Sequence, residues 1–203
     1  MPDREPRKDA VRNRQAVLAA ADDLFAHCES PEAVTMAAVA TAAGVGKATL
    51  FRAFGDRHGL LRALYEARLE PVSAAVTAGP PPLGPTAPPR QRVPALLDAL
   101  LCFKLDNRRL MLALEEGGSS VSPYQADHYA HWHGLLATML GRIPGLTDSD
   151  FTAHALLAAV RADLVEHLAG HEGVPRETMR ARLADFTVRI LDAGPVRGPA
   201  DED

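Results

Sequence analysis

Four side chains in one short stretch have the types and spacing to hold an anion. The run from Ala43 to Leu61, AGVGKATLFRAFGDRHGLL, carries Lys47, Thr49 and Arg52 on the polar side of one segment. Arg57 follows at the start of the next. An ammonium, a hydroxyl and two guanidinium groups can donate to phosphate oxygens or to base edges. A second concentration of chemistry is YQADHYAHWHGLL, Tyr124 to Leu136. His128 and His131 are three apart and share a helical face, whereas His131 and His133 do not. This pair could ligate a metal if Asp127, Glu115 or His154 joined it. It could instead line a small-molecule pocket with Trp132, Phe103, Met111 and Met139, or have no role beyond surface or core. The cluster lacks a nearby nucleophile with an orienting partner. The chain has no G-x-S-x-G, Walker loop, G-x-G-x-x-G, H-E-x-x-H or C-x-x-C. No enzyme, cofactor or metal is therefore expected.

The charge pattern singles out the first of these stretches. The 203 residues carry a formal net charge of −4. Residues 1–70 hold 10 Lys and Arg against 10 Asp and Glu, and residues 71–203 hold 12 against 16. From Gly46 to Leu69 the balance is five basic residues against two acidic ones, a local +3. A positive patch in an otherwise acidic chain points to a local anionic partner.

These residues must be positioned by helices. The chain is 47% hydrophobic but only 5% aromatic. Its core therefore draws on Ala, Leu and Val, of which Ala and Leu are strong helix formers, and an all-α fold follows. Cys28 and Cys102 fall among apolar residues and read as buried free thiols of a reducing compartment. The charged N-terminus lacks an apolar signal region, and no uncharged apolar run is long enough to span a bilayer. A cytoplasmic protein with no membrane partner is expected.

Nine helices are predicted. The first runs from Asp9 to His27, with Val17, Leu18, Ala21, Leu24 and Phe25 on one face. Thr35 caps a second, Met36 to Ala43, and Gly44 supplies the positive φ that ends it. The third covers Gly46 to Ala53. Asp56 caps the fourth, whose buried stripe is Leu60, Leu61, Leu64 and Tyr65 and which continues past Pro71. Gly79 to Arg90 has six prolines in twelve residues and reads as an extended, semi-rigid surface loop. The fifth helix spans Gln91 to Leu105, and the sixth spans Asn107 to Glu116, ended by Gly117 and Gly118. The seventh spans Pro123 to Leu140. The eighth, capped by Thr147, runs unbroken to Gly170, and the ninth runs from Pro175 to Asp192. The tail GPVRGPADED is expected to be disordered.

Helix, glycine turn, helix is a helix-turn-helix pattern, which can set its second helix in the major groove of DNA. Lys47 and Thr49 would lie near base edges. Arg52 and Arg57 would meet phosphates, as would the free N–H groups behind Thr35. The same pattern also suits a small three-helix bundle with solvated basic residues.

The run TMAAVATAAGVGKATLFRAFGDRHGLLRAL resembles the DNA-binding segment of TetR-type (tetracycline-repressor-like) transcriptional regulators. The matching positions are Thr35, Val39-Ala40, Ala43-Gly44-Val45, Gly46, Lys47, Thr49-Leu50-Phe51, Phe54, Arg57 and Leu60-Leu61. Arg14 to Ala26 is similar to the family's first helix. The resemblance implies a head over residues 1–65, a helical ligand-binding and dimerisation domain over 66–195, and a tail over 196–203. It implies DNA contacts from Thr35, Gly46, Lys47, Ala48, Thr49, Phe51, Arg52 and Arg57. Phe51 replaces a common Tyr, Gly46 a small polar residue and Ala53 a common His. Fewer phosphate contacts and a shallow salt dependence are therefore expected.

The resemblance also implies a ligand chamber and a dimer interface in the second domain. Pocket candidates are Phe103, Met111, His128, His131, Trp132, Met139 and Arg161. Arg161 and Asp163 could be polar groups of the pocket or a buried structural pair. Apolar stripes at helical spacing suggest the interface directly. They are Leu157, Val160, Leu164 and Leu168 on the eighth helix, and Met179, Leu183, Phe186 and Ile190 on the ninth. Two such helices from each of two chains can form a four-helix bundle, unless both stripes belong to the protomer's own core. The expected partners are a double-stranded DNA operator, a small-molecule effector and a second copy of the chain. The expected function is a repressor, bound to a palindromic operator as a dimer and released by the small molecule. The alternative is a small-molecule-binding protein of the same fold with weak or lost DNA binding.

Overall fold

The computed structural model describes residues 5–28, 30–116 and 127–192. Their regular secondary structure is all helical, with no strand among them. The helices are α1 (Glu5–His27), α2 (Met36–Ala42), α3 (Lys47–Phe54), α4 (Arg57–Ala78), α5 (Pro89–Asp106), α6 (Arg108–Glu116), α7 (Asp127–Leu140), α8 (Ser149–Ala158), α9 (Ala162–Glu166) and α10 (Arg176–Asp192). A 3₁₀ turn, Pro31–Ala33, separates α1 from α2. The expected Gly117-Gly118 stop, the start at Pro123, and the C-terminal tail lie outside the described residues.

The chain forms two compact units, residues 1–70 with 107–119 and residues 71–106 with 120–203. In the first, α1 presents Val17, Ala21 and Phe25 to a core completed by Val39, Leu50, Phe54, Leu60, Leu61, Leu64 and Leu110. Helix α6 belongs to this unit although residues 71–106 of the other unit intervene in the chain, and no local pattern in the sequence signals that. Arg109 of α6 donates to the Cys28 carbonyl at 2.7 Å. Arg68 of α4 pairs with Asp22 of α1 and donates to the Asn107 side chain at 2.7 Å. Both cysteines are half-buried free thiols rather than fully buried ones.

In the second unit α5 is the central element, packed against α7, α9 and α10. Val93, Leu96, Leu97, Leu100 and Leu101 are buried along it. Arg180 of α10 makes a two-pronged pair with Asp98 of α5, at 2.7 and 2.8 Å.

Two expectations fail in this unit. The proline-rich segment 79–90 is not extended. It folds into successive turns, with Gly84 N–H donating to Pro80 O and Ala87 N–H to Gly84 O. The buried guanidinium of Arg92 gathers it by donating to Leu83 O at 3.1 Å and to Val76 O at 3.0 Å. Composition sets an extended bias, but an anchoring cation overrides it.

The expected eighth helix is also broken. Its cap is Asp148, not Thr147: the Asp148 carboxylate accepts from Phe151 N–H at 3.0 Å. The helix stops at Ala158, where Arg161 adopts extended backbone. Lys104 of α5 donates to the Val160 carbonyl exposed by the break. A π turn, His167–His171, follows α9.

Candidate functional site

The helix-turn-helix forms because three local signals agree. The Thr35 hydroxyl oxygen accepts from Ala38 N–H at 3.1 Å and caps α2. Gly44, at φ +65°, makes the turn that a side chain would strain. Leu50 and Phe54, four residues apart on α3, are fully or nearly buried and fix its rotation. That rotation turns Lys47, Ala48, Thr49, Phe51 and Arg52 outward. Phe51 is 49% exposed, a large apolar ring presented to solvent on the same short helix as two cations. Lys47 and Arg52 enter no ion pair among the described residues, so both charges remain available.

One residue expected at this surface does other work. Arg57 is half-buried and turned inward. Its Nε donates to Val34 O at 3.1 Å and its second guanidinium nitrogen donates to Pro31 O at 2.7 Å. It anchors the segment between α1 and α2. Gly46 begins α3 without a side-chain cap. Arg14, which the sequence reading placed only on the first helix, stacks its guanidinium over the Phe54 ring at 4.8 Å.

Residues 17–64 match the family of bacterial regulatory proteins, tetR family. The chain's helix-turn-helix segment is a TetR-family one. The chain is 31% identical over 123 residues to an HTH-type transcriptional regulator of Staphylococcus aureus (strain bovine RF122 / ET3-1). That alignment covers 61% of this chain and 64% of the relative, so it spans just under two thirds of the relative's length. A TetR-like transcriptional regulator from Rhodococcus sp. RHA1 has a similar structure. Its TM-score is 0.56 at 23% identity, covering 87% of this chain and 94% of that one. NalD, the secondary repressor of the MexAB-OprM multidrug efflux pump in Pseudomonas aeruginosa, has TM-score 0.58 at 17% identity, covering 90% and 97%. At these identities the structural likeness concerns the fold alone.

The remaining candidates are less unified. Phe103, Trp132 and Met139 are buried in the second unit, but Met111 belongs to the first. His128 and His131 face solvent, and the His131 ring meets Trp132 edge-on at 4.8 Å. Trp132 is 4% exposed, and its Nε1–H has no acceptor among the described residues. Arg161 forms a two-pronged pair with Asp163 across the break between α8 and α9, at 3.0 and 2.7 Å. That hydrogen bond is the main reason the Asp163 carboxyl is held below its usual range, helped by Leu164 N–H.

The apolar stripes divide. Leu157, Val160, Met179 and Leu183 belong to the protomer core, where Thr187 and Leu191 extend the buried line of α10. Leu164 (38% exposed) and Phe186 (41%) face outward, and Leu168 and Ile190 are half-buried. The spacing of four residues continues through Thr187, a polar residue that hydropathy passes over. Its hydroxyl is satisfied by donating to Leu183 O at 2.7 Å.

The histidine cluster is recruited differently from the sequence reading. His133, not His128 or His131, meets His154, and Asp150 joins them. Of the proposed metal partners, the side chains of Asp127 and Glu115 lie outside the described residues. His154, named as a possible metal partner, is in the observed set, and the spacing of Asp150 and His154, four apart on α8, was the sequence signal for the carboxylate.

Proposed function

We propose that the protein is a DNA-binding transcriptional regulator acting as a dimer on a palindromic operator, with a small molecule controlling release. The observation that carries the reading is the outward face of α3, where Lys47, Thr49 and Arg52 stand unpaired by the chain beside an exposed Phe51. A helix of this kind fits the major groove, with N-terminal residues at base edges and a cation at the backbone. Two such helices need a separation of about 34 Å to read successive grooves, which is the physical reason for a dimer. Leu164, Leu168, Phe186 and Ile190 are the apolar side chains left at least partly open to form it. The effector reading rests on Trp132, whose buried indole N–H could donate to a bound molecule. With Arg57 turned inward, few phosphate contacts remain on this face.

Fluorescence anisotropy with the protein's own upstream DNA tests the reading. The Lys47→Ala/Arg52→Ala double variant is expected to lose affinity by about 2–4 kcal/mol, taking about 1–2 kcal/mol per contact. Its log–log salt slope should flatten by about 0.9 for each phosphate given up. Unchanged affinity in a folded double variant contradicts the proposal. Absence of wild-type binding at low salt favours a ligand-binding protein of the same fold. A monomer in sedimentation at micromolar concentration removes the palindrome.

A further inference from the structure

We infer a divalent transition-metal site, of the zinc class, between α7 and α8, with His133, Asp150 and His154 as ligands. His133 comes from α7. Asp150 and His154 come from one face of α8, four residues apart. One ligand atom from each lies within 4.8 Å of the others. His133 Nε2 is 3.5 Å from Asp150 Oδ1, and His154 Nε2 is 4.0 Å from Asp150 Oδ2. Tetrahedral zinc with bonds of about 2.0–2.1 Å separates its ligand atoms by roughly 3.3 Å. The carboxylate is thus already close to its required place against both imidazoles. The two rings stack at 3.9 Å between centroids. Their approach to a common ion needs rotation about χ2, which is soft for histidine.

A feature outside the ligand set supports the assignment. The Tyr129 hydroxyl oxygen lies 2.6 Å from His154 Nδ1. With the ion on Nε2, Nδ1 carries the proton and donates to that oxygen. Such an outer partner fixes the tautomer and orients a ligating histidine. Two imidazoles and one carboxylate select zinc, cobalt, nickel or copper over magnesium or calcium. Three protein ligands leave a fourth position for water or an external ligand. Asp150 is exposed, so an ion reaches the site from solvent without unfolding.

The test uses the untagged, metal-stripped full chain titrated with Co2+ in the absence of DNA. Its outcome is thereby separate from that of the operator experiment. The expected result is one equivalent bound, with the visible d–d bands of four-coordinate cobalt displaced by Zn2+, and a melting temperature raised by Zn2+. His154→Ala and Asp150→Ala, both at accessible positions, should abolish the bands while keeping the helical circular dichroism of the parent. Tyr129→Phe should weaken binding by about 10–100-fold. His167→Ala/His171→Ala removes the other stacked histidine pair, at 5.9 Å, and should change nothing. No d–d bands in the parent, bands that survive in folded His154→Ala or Asp150→Ala, or bands lost with His167 and His171 would each overturn the site.

Discussion

Two regions, the outward face of α3 and the surroundings of α5, place their cations in opposite ways. In the first, the exposed cations are set by neighbours within the same helix-turn-helix segment. Thr35 caps, Gly44 turns, Leu50 and Phe54 anchor, and Lys47 and Arg52 emerge by helical period alone. In the second, charged groups act across long sequence separations. Arg92 reaches back to Val76 and Leu83, Arg180 reaches Asp98, and Lys104 reaches the broken carbonyl of Val160. A local arrangement can be read from a short stretch of sequence, whereas a distant one requires the fold.

Arg57 and Arg92 make the comparison testable, because each donates to two main-chain carbonyls and neither is on the outward face of α3. The largest effect is expected at Arg92, the more buried of the two. Arg92→Met should lower stability in denaturant by about 2–3 kcal/mol, since hydrogen bonds to charged groups are the strong class. It should also open residues 79–88 to limited proteolysis. Cleavage no faster than in the parent would show that the turns hold without the cation.

Arg57→Met should cost about 2 kcal/mol by the same reasoning and leave the salt slope of DNA binding unchanged. A slope that flattens as in the Lys47/Arg52 variant would return Arg57 to the phosphate-contacting set.

The effect confined to alkaline solution is a pH dependence. Burial pushes the Tyr65 hydroxyl up to about 12 from its ordinary value of 10.0. Its stabilising contribution is therefore complete below pH 10 and lost between about pH 10 and 12, by at most about 1.4 kcal/mol per pH unit. Tyr65→Phe should remove that part of the alkaline slope in chemical denaturation. An identical slope in the variant would place the alkaline sensitivity elsewhere.

The sequence carried the helical class, the course of α1 to α4 and the outward residues of α3, because periodicity and capping are local properties. It did not carry the membership of α6 in the first unit, which depends on packing around residues far along the chain. Arg57 was legible as a cation beside the helix-turn-helix but not as an anchor, because the carbonyls it meets lie 23 and 26 residues earlier. His133 and His154 were each visible, yet their stacking required α7 and α8 to fold against one another. On α10 hydropathy favoured Phe186 and Ile190 over Thr187, although the four-residue step from Met179 through Leu183 to Leu191 was present in the sequence.

The turns over Arg92 bear on how this protein can be altered. A stretch with six prolines invites use as a neutral place to insert a tag or splice a second module. Here a side chain at Gly84 would meet the Gly79 carbonyl at 1.7 Å. Added residues in that stretch would pull the Leu83 carbonyl from the buried guanidinium and disturb the start of α5. Fusion partners and labels belong elsewhere on this molecule.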